Sequence, residues 1–137
     1  MPDVTQSDGP TLVPYFSYGD ASAAIEWLVR AFGFEIRQRY DDPQGGVVHA
    51  ELALGGGVIM LGTGDPPPRG SGGTSPNGHG VYAVVANVDA HHARAVDAGA
   101  TIVYPPEDTD FGTRRYRALD TEGYEWSFGS YRPTAHS

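Results

Sequence analysis

Polar and apolar residues alternate most regularly between Phe111 and Tyr131, and this pattern predicts two strands joined by a turn at 120–123. One face of this hairpin is apolar enough to pack against a helix and carries Tyr116, Ala118, Tyr124, Trp126 and Phe128. The other face is polar and carries Arg115, Arg117, Glu125 and Ser127. So strong a contrast makes the polar face a candidate binding surface.

Two segments have the apolar spacing of amphipathic helices. The first begins after an Asp20 cap and ends at Gly33, a residue suited to the left-handed conformation that follows a helix. The second is predicted over Ala90–Ala98, with Asp89 as its cap and Gly99 as its stop.

Six further strands are predicted around these helices: Leu12–Tyr18, Glu35–Tyr40, Val47–Leu54, Val58–Leu61, Val81–Val88 and Thr101–Tyr104, the last broken by two prolines. The order strand, helix, three strands therefore occurs twice. The number of residues from Gly33 to Gly99 equals the number from Gly57 to Gly123. The repeat predicts an α+β fold of two βαβββ modules.

The chain divides by composition into two modules with flanking segments. The predicted segments are a tail at 1–10, a first module at 11–63, a Gly/Pro-rich linker at 64–79, a second module at 80–131 and a tail at 132–137. The linker is long enough for the modules to pair within one chain or to exchange across a dimer.

The net charge of −8, without a basic run, argues against nucleic acid or an anionic membrane as a partner. The absence of cysteine excludes disulfides, thiolate catalysis and Cys-zinc sites. No signal peptide or membrane-spanning apolar run is visible, which makes a cytoplasmic protein the expectation.

The repeated module, with Tyr18-Gly19-Asp20 before the first helix, Asn87-Val88-Asp89 before the second and 120–124 before the last strand, resembles the vicinal oxygen chelate superfamily. That superfamily includes glyoxalases, extradiol dioxygenases, fosfomycin-resistance enzymes and bleomycin-resistance proteins. The resemblance covers 12–131 and is greatest, at 111–114 and 126–129, to small glyoxalase/bleomycin-resistance-like proteins. It implies curved half-barrel sheets, ligand binding in their concave faces and a homodimer.

The resemblance also implies where the metal enzymes of the superfamily place their His or Glu ligands. The equivalent residues here are Val13, Met60, Ala83 and Ser127, and a register shift of two would offer only Glu125. These side chains do not supply the three or so N, O or S donors that a divalent ion needs. We therefore expect neither a metal nor another cofactor.

His49 and Glu51 share a face of their strand, and Arg115 and Arg117 occupy the equivalent places in the second module. The resemblance places all four in a cavity, where His49 could act as a base; a solvent-exposed set of ion pairs is the alternative. Tyr15 and Met60 fall on the same inferred face and could contact a planar ligand. The expected ligand-binding residues are Tyr15, His49, Glu51, Met60, Arg115, Arg117, Glu125 and Ser127.

His91 and His92 are neighbours on the second helix, so their side chains point about 100° apart and a solvated helix face is expected.

The preferred function is a metal-free protein of the bleomycin-resistance type that binds a planar or aromatic, antibiotic-like small molecule. An enzyme is the alternative: a glyoxalase- or dioxygenase-like lyase or isomerase, either metal-dependent through other ligands or metal-free through His49 and Glu51. A module for protein interaction is the third.

Overall fold

The computed structural model describes residues 9–64 and 80–133. These residues form two compact units, the first made of 9–29 and 33–64 and the second of 30–32 and 80–133. The predicted linker at 64–79 lies outside the described residues except for its first residue, and most of both predicted tails, 1–10 and 132–137, lies outside them as well.

The first module contains β1 (Tyr15–Tyr18), α1 (Ala21–Phe32), β2 (Glu35–Asp41), β3 (Val47–Leu54) and β4 (Gly57–Thr63). Its sheet has the order β1-β4-β3-β2, with β1 parallel to β4. The predicted limits of α1 are confirmed: Asp20 Oδ1 accepts from the Ala23 amide at 3.0 Å, and Gly33 ends the helix at φ 87°.

The second module contains β5 (Val81–Val84), α2 (Val88–Asp97), β6 (Thr101–Asp108), β7 (Arg114–Leu119) and β8 (Glu125–Gly129). Its strand order is β5-β8-β7-β6, the same topology as in the first module. The predicted α+β fold of two βαβββ modules is confirmed. No helix among the described residues is long and apolar enough to cross a membrane.

The predicted start of the second helix is wrong by two residues. Asn87, rather than Asp89, is the cap, because its side-chain oxygen accepts from the Ala90 amide at 3.0 Å. Asn and Asp cap helices about equally well, so the local signal does not choose between them. Asp89 instead lies in the first turn of α2, and β5 ends at Val84 rather than Val88.

β2 and β4 differ from their predicted limits by only one or two residues at an end. The two larger differences, in β1 and β6, lie at prolines. Pro14 has no amide hydrogen, but its carbonyl accepts from the Met60 amide at 2.9 Å, and β1 begins one residue later, at Tyr15 rather than Leu12. β6 continues through Pro105 and Pro106 to Asp108, with register shifts on both sides of Tyr104. An edge strand such as β6 tolerates proline because one side of it needs no partner.

The apolar face of the β7–β8 hairpin forms the core of the second unit, as predicted. Tyr116, Ala118, Trp126 and Phe128 are all 0% exposed. Full burial of the three aromatic side chains among them contributes about 1.5–3 kcal/mol each to stability. Tyr124 is the exception, since it precedes β8 and is only half-buried.

His91 lies against this core, so the expectation of a solvated helix face is wrong for it. Its Nε2 donates to the Phe32 carbonyl at 2.8 Å, which leaves Nδ1 to accept from the Tyr116 hydroxyl at 2.7 Å. The ring also packs 4.2 Å from the Phe128 ring, centroid to centroid. Burial lowers the pKa of His91 and raises that of Tyr116, so both groups are held neutral.

Candidate ligand-binding site

Each sheet has one buried apolar face and one opposite face, which we call its distal face. In the second sheet, Ser127 is in register with both Tyr82 of β5 and Arg117 of β7, and Arg117 is in register with Tyr104 of β6. Residues in register point to the same side of a sheet. The topology therefore brings these four side chains together on the distal face.

A cavity of about 500 Å³ lies over this face of the second module. Its walls combine aromatic rings, guanidinium groups and small hydroxyl groups: Tyr82, Tyr104, Phe111, Tyr131, Arg114, Arg115, Arg117, Thr109, Thr113 and Ser127. Cavities of this size and mixed lining are typical of small-molecule sites. No Asp or Glu is among the described residues of the lining.

Arg115 and Arg117 are held in fixed orientations beside one aromatic ring. Arg117 donates from Nε to Ser127 Oγ at 2.9 Å and from Nη1 to Glu125 Oε2 at 3.4 Å. Arg115 donates from Nε and Nη2 to one oxygen of Glu107, at 3.1 and 3.0 Å. The Tyr104 ring centroid lies 5.4 Å from Cζ of Arg117 and 5.6 Å from Cζ of Arg115, within the range of a cation–π contact.

Arg114 has a structural role at the edge of the cavity. It donates to Asp108 at 2.9 Å and, from two nitrogens, to Asp89 at 3.1 Å. These hydrogen bonds raise the pKa of Arg114. They link β7 to the end of β6 and to the first turn of α2, which is why Asp89 is a partner of Arg114 rather than a helix cap.

Tyr82 crosses the sheet over a glycine. Its hydroxyl donates to the Tyr131 carbonyl at 2.6 Å, and burial raises the pKa of Tyr82, so the group remains a neutral donor. A Cβ at Gly129 would lie 2.7 Å from that hydroxyl oxygen. Gly129 is in register with Arg115, so the missing side chain provides the space that the Tyr82 ring occupies.

The segment between β6 and β7 presents Phe111 at the cavity mouth. The Thr109 and Thr113 hydroxyl groups are 2.7 Å apart, and Thr109 Oγ1 also accepts from the Phe111 amide at 3.2 Å. The Phe111 side chain is 87% exposed despite its size. A large apolar side chain at the rim of a cavity is a candidate contact for a ligand.

The distal face of the first sheet carries the other predicted site residues. Tyr15 and Glu51 are both in register with Met60, and Tyr15 is 80% exposed. His49 Nε2 lies 3.3 Å from Glu51 Oε2, and the Tyr40 ring stacks beside His49 with centroids 6.3 Å apart. Within this unit the structure brings together Tyr15, His49, Glu51 and Met60; within the second unit it brings together Arg115, Arg117, Glu125 and Ser127.

One of the four residues assigned to the superfamily's metal positions, Ala83, does not lie on the distal face. Val13 precedes β1, and Ala83 is in register with Phe128 on the buried face. The pairing of Tyr15 with Met60 is equivalent to the pairing of Tyr82 with Ser127. The members of the second pair follow those of the first by the same number of residues as the second helix cap follows the first. The side chains in register on the distal faces are therefore Tyr15 with Met60 and Tyr82 with Ser127.

This set of four side chains does not fit the metal ion that the superfamily's enzymes use. It offers two phenols, a thioether and an aliphatic hydroxyl, none of which is a strong ligand for a divalent cation in its neutral form. Among residues 9–64 and 80–133, no three His, Asp or Glu side chains lie together in a way that could hold a metal. These side chains therefore offer no basis for a metal-dependent step.

Comparison with known proteins agrees with this architecture. The family model described as Glyoxalase/Bleomycin resistance protein/Dioxygenase superfamily matches residues 14–128. The chain belongs to this superfamily. The uncharacterised protein Rv0887c of Mycobacterium tuberculosis is 34% identical over 125 residues, 88% of this chain and 74% of that protein. The uncharacterised Mb0911c of Mycobacterium bovis is also 34% identical, over 82% of its length.

Solved structures of the superfamily show the same fold. TioX from Micromonospora sp. ML1 is 36% identical, with a TM-score of 0.70 over 91% of this chain and 98% of TioX. The fosfomycin resistance protein FosX from Listeria monocytogenes has a TM-score of 0.68 at 14% identity, over 93% of this chain and 96% of FosX. Maize glyoxalase I has a TM-score of 0.68 at 17% identity, over 90% of this chain and 45% of the maize chain. The last two likenesses concern the fold alone.

The predicted membership of the superfamily is thus confirmed, but several cavity residues were missed. Tyr82, Tyr104, Phe111 and Tyr131 were not predicted as site residues. Tyr82 lies as many residues before the cap Asn87 as Tyr15 lies before the cap Asp20, and this equal spacing is a sequence signal for Tyr82. The other three depend on bulges and loops that leave no periodic signal in the sequence.

Proposed function

We propose that this protein is a metal-free binding protein of the bleomycin-resistance type, and that it holds a planar, aromatic, antibiotic-like molecule over the distal face of the second module. The observation that carries the proposal is the cavity of about 500 Å³ in which Arg115 and Arg117 flank the Tyr104 ring. Pockets that bind small molecules are mostly apolar with a few convergent polar groups, and this lining follows that pattern.

The aromatic side chains supply the contact area. Phe111, Tyr131 and Tyr82 are 87%, 53% and 40% exposed, so a planar ligand would cover apolar surface that now faces solvent. Burying this surface favours binding by about 25 cal/mol per Å². The rings also have few rotatable bonds, which limits the loss of side-chain entropy on binding.

The side chains in register on the two distal faces support binding rather than metal-dependent catalysis. Tyr15, Met60, Tyr82 and Ser127 provide aromatic and soft contact surface in place of His and carboxylate ligands. Elemental analysis of gently purified protein should find well below one Zn, Ni, Fe or Mn per chain. One equivalent of any of these metals would contradict the proposal.

A fluorescence screen with planar aromatic compounds, followed by calorimetry on the hits, tests the binding function. Phe111→Ala should weaken a true cavity ligand by about 1–2 kcal/mol through lost contact area. Because Phe111 is 87% exposed, the change should leave the fold intact. Arg30→Ala, an exposed position on α1, is the control that should leave affinity unchanged. Equal affinity in wild type and Phe111→Ala would place the ligand elsewhere.

The second candidate function is a metal-free lyase or isomerase on the first module. The specific observation is the 3.3 Å contact between His49 Nε2 and Glu51 Oε2, which would orient the imidazole for proton transfer. If a turnover is found, His49→Gln should abolish it and Arg117→Gln should leave it intact. The reverse pattern would exclude His49 as the base.

We also propose that the protein is a homodimer. Several large apolar side chains of the first module are at least half exposed in the single chain: Leu12, Tyr15, Ile36, Tyr40 and Val48. Exposed apolar surface of this kind favours association with a second copy. Sedimentation equilibrium should give about twice the chain mass of 14.6 kDa, and a monomer at micromolar concentration would contradict this.

A further inference from the structure

We infer that the ligand of the second-module cavity is an aromatic carboxylate, whose anionic group is bound by the unoccupied edges of Arg115 and Arg117. The inference rests on the proposed function and makes it more specific, because it names the charge and the chemical class of the ligand.

The charge of the cavity wall differs from that of the whole chain. The protein has a net charge of −8 and only nine basic residues, all of them arginines. Three of these nine, Arg114, Arg115 and Arg117, line one cavity, and no Asp or Glu among the described residues lines it. A concentration of cations in an acidic protein indicates that this wall meets an anion.

The two central arginines each keep one donor group free. Arg115 uses Nε and Nη2 on Glu107, so its Nη1 makes no hydrogen bond with a described residue. Arg117 uses Nε on Ser127 and Nη1 on Glu125, so its Nη2 is also free among the described residues. Residues two apart on a strand point to the same side, about 7 Å apart. A carboxylate, with two acceptor oxygens, can receive a hydrogen bond from each.

The neighbouring carboxylates orient the guanidinium groups and do not occupy the cavity. Glu107 and Glu125 both contact their arginines, yet neither belongs to the cavity lining. Glu107 is 46% exposed, so solvent screens its charge; Glu125 is 12% exposed and lies beside Ser127 on β8. Each arginine is therefore held from one side and presents its other side to the ligand, a preorganised arrangement that lowers the entropic cost of binding.

The remaining walls define the rest of the ligand. Tyr82, Phe111 and Tyr131 surround the arginine pair with aromatic surface, which suits a flat ring system rather than a sugar or a phosphate ester. The Tyr104 ring lies within cation–π distance of both guanidinium groups and adds aromatic surface beside them. In a ligand with an anionic group attached to an aromatic ring, the anionic group would contact the arginine pair and the ring would contact the aromatic side chains.

Calorimetric titration of the full-length protein with 2-naphthoate and with neutral 2-naphthamide tests the inference. The two probes have the same ring system and differ only in the group that would meet the arginines. We expect the acid to bind about ten- to hundredfold more tightly, the range for a charge-assisted hydrogen bond. Its affinity should fall as the salt concentration rises, and that of the amide should not.

Variants identify the residues responsible. Arg115→Gln and Arg117→Gln should each reduce the preference for the acid to less than about threefold, and affinity for the amide should change little. Arg30→Gln, at the exposed α1 position, should keep the full preference. Circular dichroism and the Tm of each variant check that the fold is retained, which is expected because Arg115 and Arg117 are 50% and 35% exposed.

The outcomes separate this inference from the proposed function. Equal affinity for acid and amide would overturn the carboxylate assignment and leave aromatic binding in place. A preference that survives both arginine substitutions would also overturn it. Failure of both probes to bind would count against the carboxylate and the aromatic cavity together.

Discussion

The two modules have the same strand order and equivalent strand pairings, but their distal faces differ in chemistry. In the first, Met60 is in register with Tyr15 and Glu51; in the second, Ser127 is in register with Tyr82 and Arg117. The equivalent of the His49–Glu51 contact is the arginine pair of the second module. The repeated backbone therefore determines where side chains meet, and the residue types at those positions determine what they can bind.

The buried sides of the modules differ in the same way. Ala24 in α1 is 1% exposed, whereas at the equivalent position α2 has His91, hydrogen-bonded to the Tyr116 hydroxyl and the Phe32 carbonyl. Leu54 precedes the last strand of the first module, and its counterpart in the second module is the buried Asp120. The second module thus contains a buried and a half-buried polar group where the first has apolar ones, and this difference predicts where the protein is most sensitive to mutation.

Substitution of Asp120 is expected to lower the free energy of unfolding the most. Its carboxylate is 6% exposed and accepts from the Trp126 indole at 2.9 Å and from the amides of Glu122 and Tyr124 at 3.0 and 3.1 Å. Asp120→Ala would leave a buried donor without its partner, and we expect the free energy of unfolding to fall by about 3 kcal/mol. Urea denaturation measures the change.

Asp42 in the first module provides the matched control. Its carboxylate accepts from the amides of Gln44 and Gly46, both at 2.9 Å, in the same spacing along the chain, but no buried side chain among the described residues donates to it. Asp42→Ala should therefore lower the free energy of unfolding by only about 1 kcal/mol. Equal losses for the two variants would show that the Trp126 hydrogen bond contributes nothing.

The next largest loss of stability is expected from alanine substitutions at Gly62 and Gly129, which are equivalent positions on the last strands of the two modules. A Cβ at Gly62 would lie 2.6 Å from the Val48 carbonyl oxygen, which is backbone, whereas at Gly129 the closest atom is the Tyr82 hydroxyl oxygen at 2.7 Å. Backbone moves less easily than the end of a side chain, so Gly62→Ala should destabilise by about 2–3 kcal/mol and Gly129→Ala by about 1 kcal/mol. Denaturation curves decide the order, and the reverse order would contradict the close approach at Gly62.

The smallest effect is the pH dependence that His91 gives to the second module. Burial lowers the pKa of His91 in the folded protein, so the unfolded chain binds more protons between that pKa and the ordinary value of about 6.5. The free energy of unfolding should therefore decrease as the pH falls below about 6.5, through the folded-state pKa. His91→Gln should remove this part of the dependence and His92→Gln should retain it; an unchanged pH profile in His91→Gln would assign the effect to other groups.

Local signals in the sequence predict much of this fold. Asp20 and Gly33 define α1 correctly because the cap and the left-handed stop act on neighbouring residues. Arg115, Arg117 and Ser127 were placed on the correct face because strand alternation depends only on position along the strand. These parts of the site follow from patterns within a single hairpin.

The remaining parts depend on contacts between distant segments. Asn87 and Asp89 are equivalent as caps in the sequence; in the structure Asn87 caps α2 and Asp89 binds Arg114, which lies far along the chain on β7. The spacing of Val88, His91 and Ala95 on one face of α2 was a usable signal that His91 is part of the core.

The central claim is that the distal face of the second module is the ligand site, and amide chemical shifts measured on ¹⁵N-labelled protein test it most directly. On titration with 2-naphthoate, we expect the largest shift changes at 111–117 and 127–131, which line or border the cavity. Shift changes that are largest on β3 and β4, or absent from the whole chain, would contradict the claim.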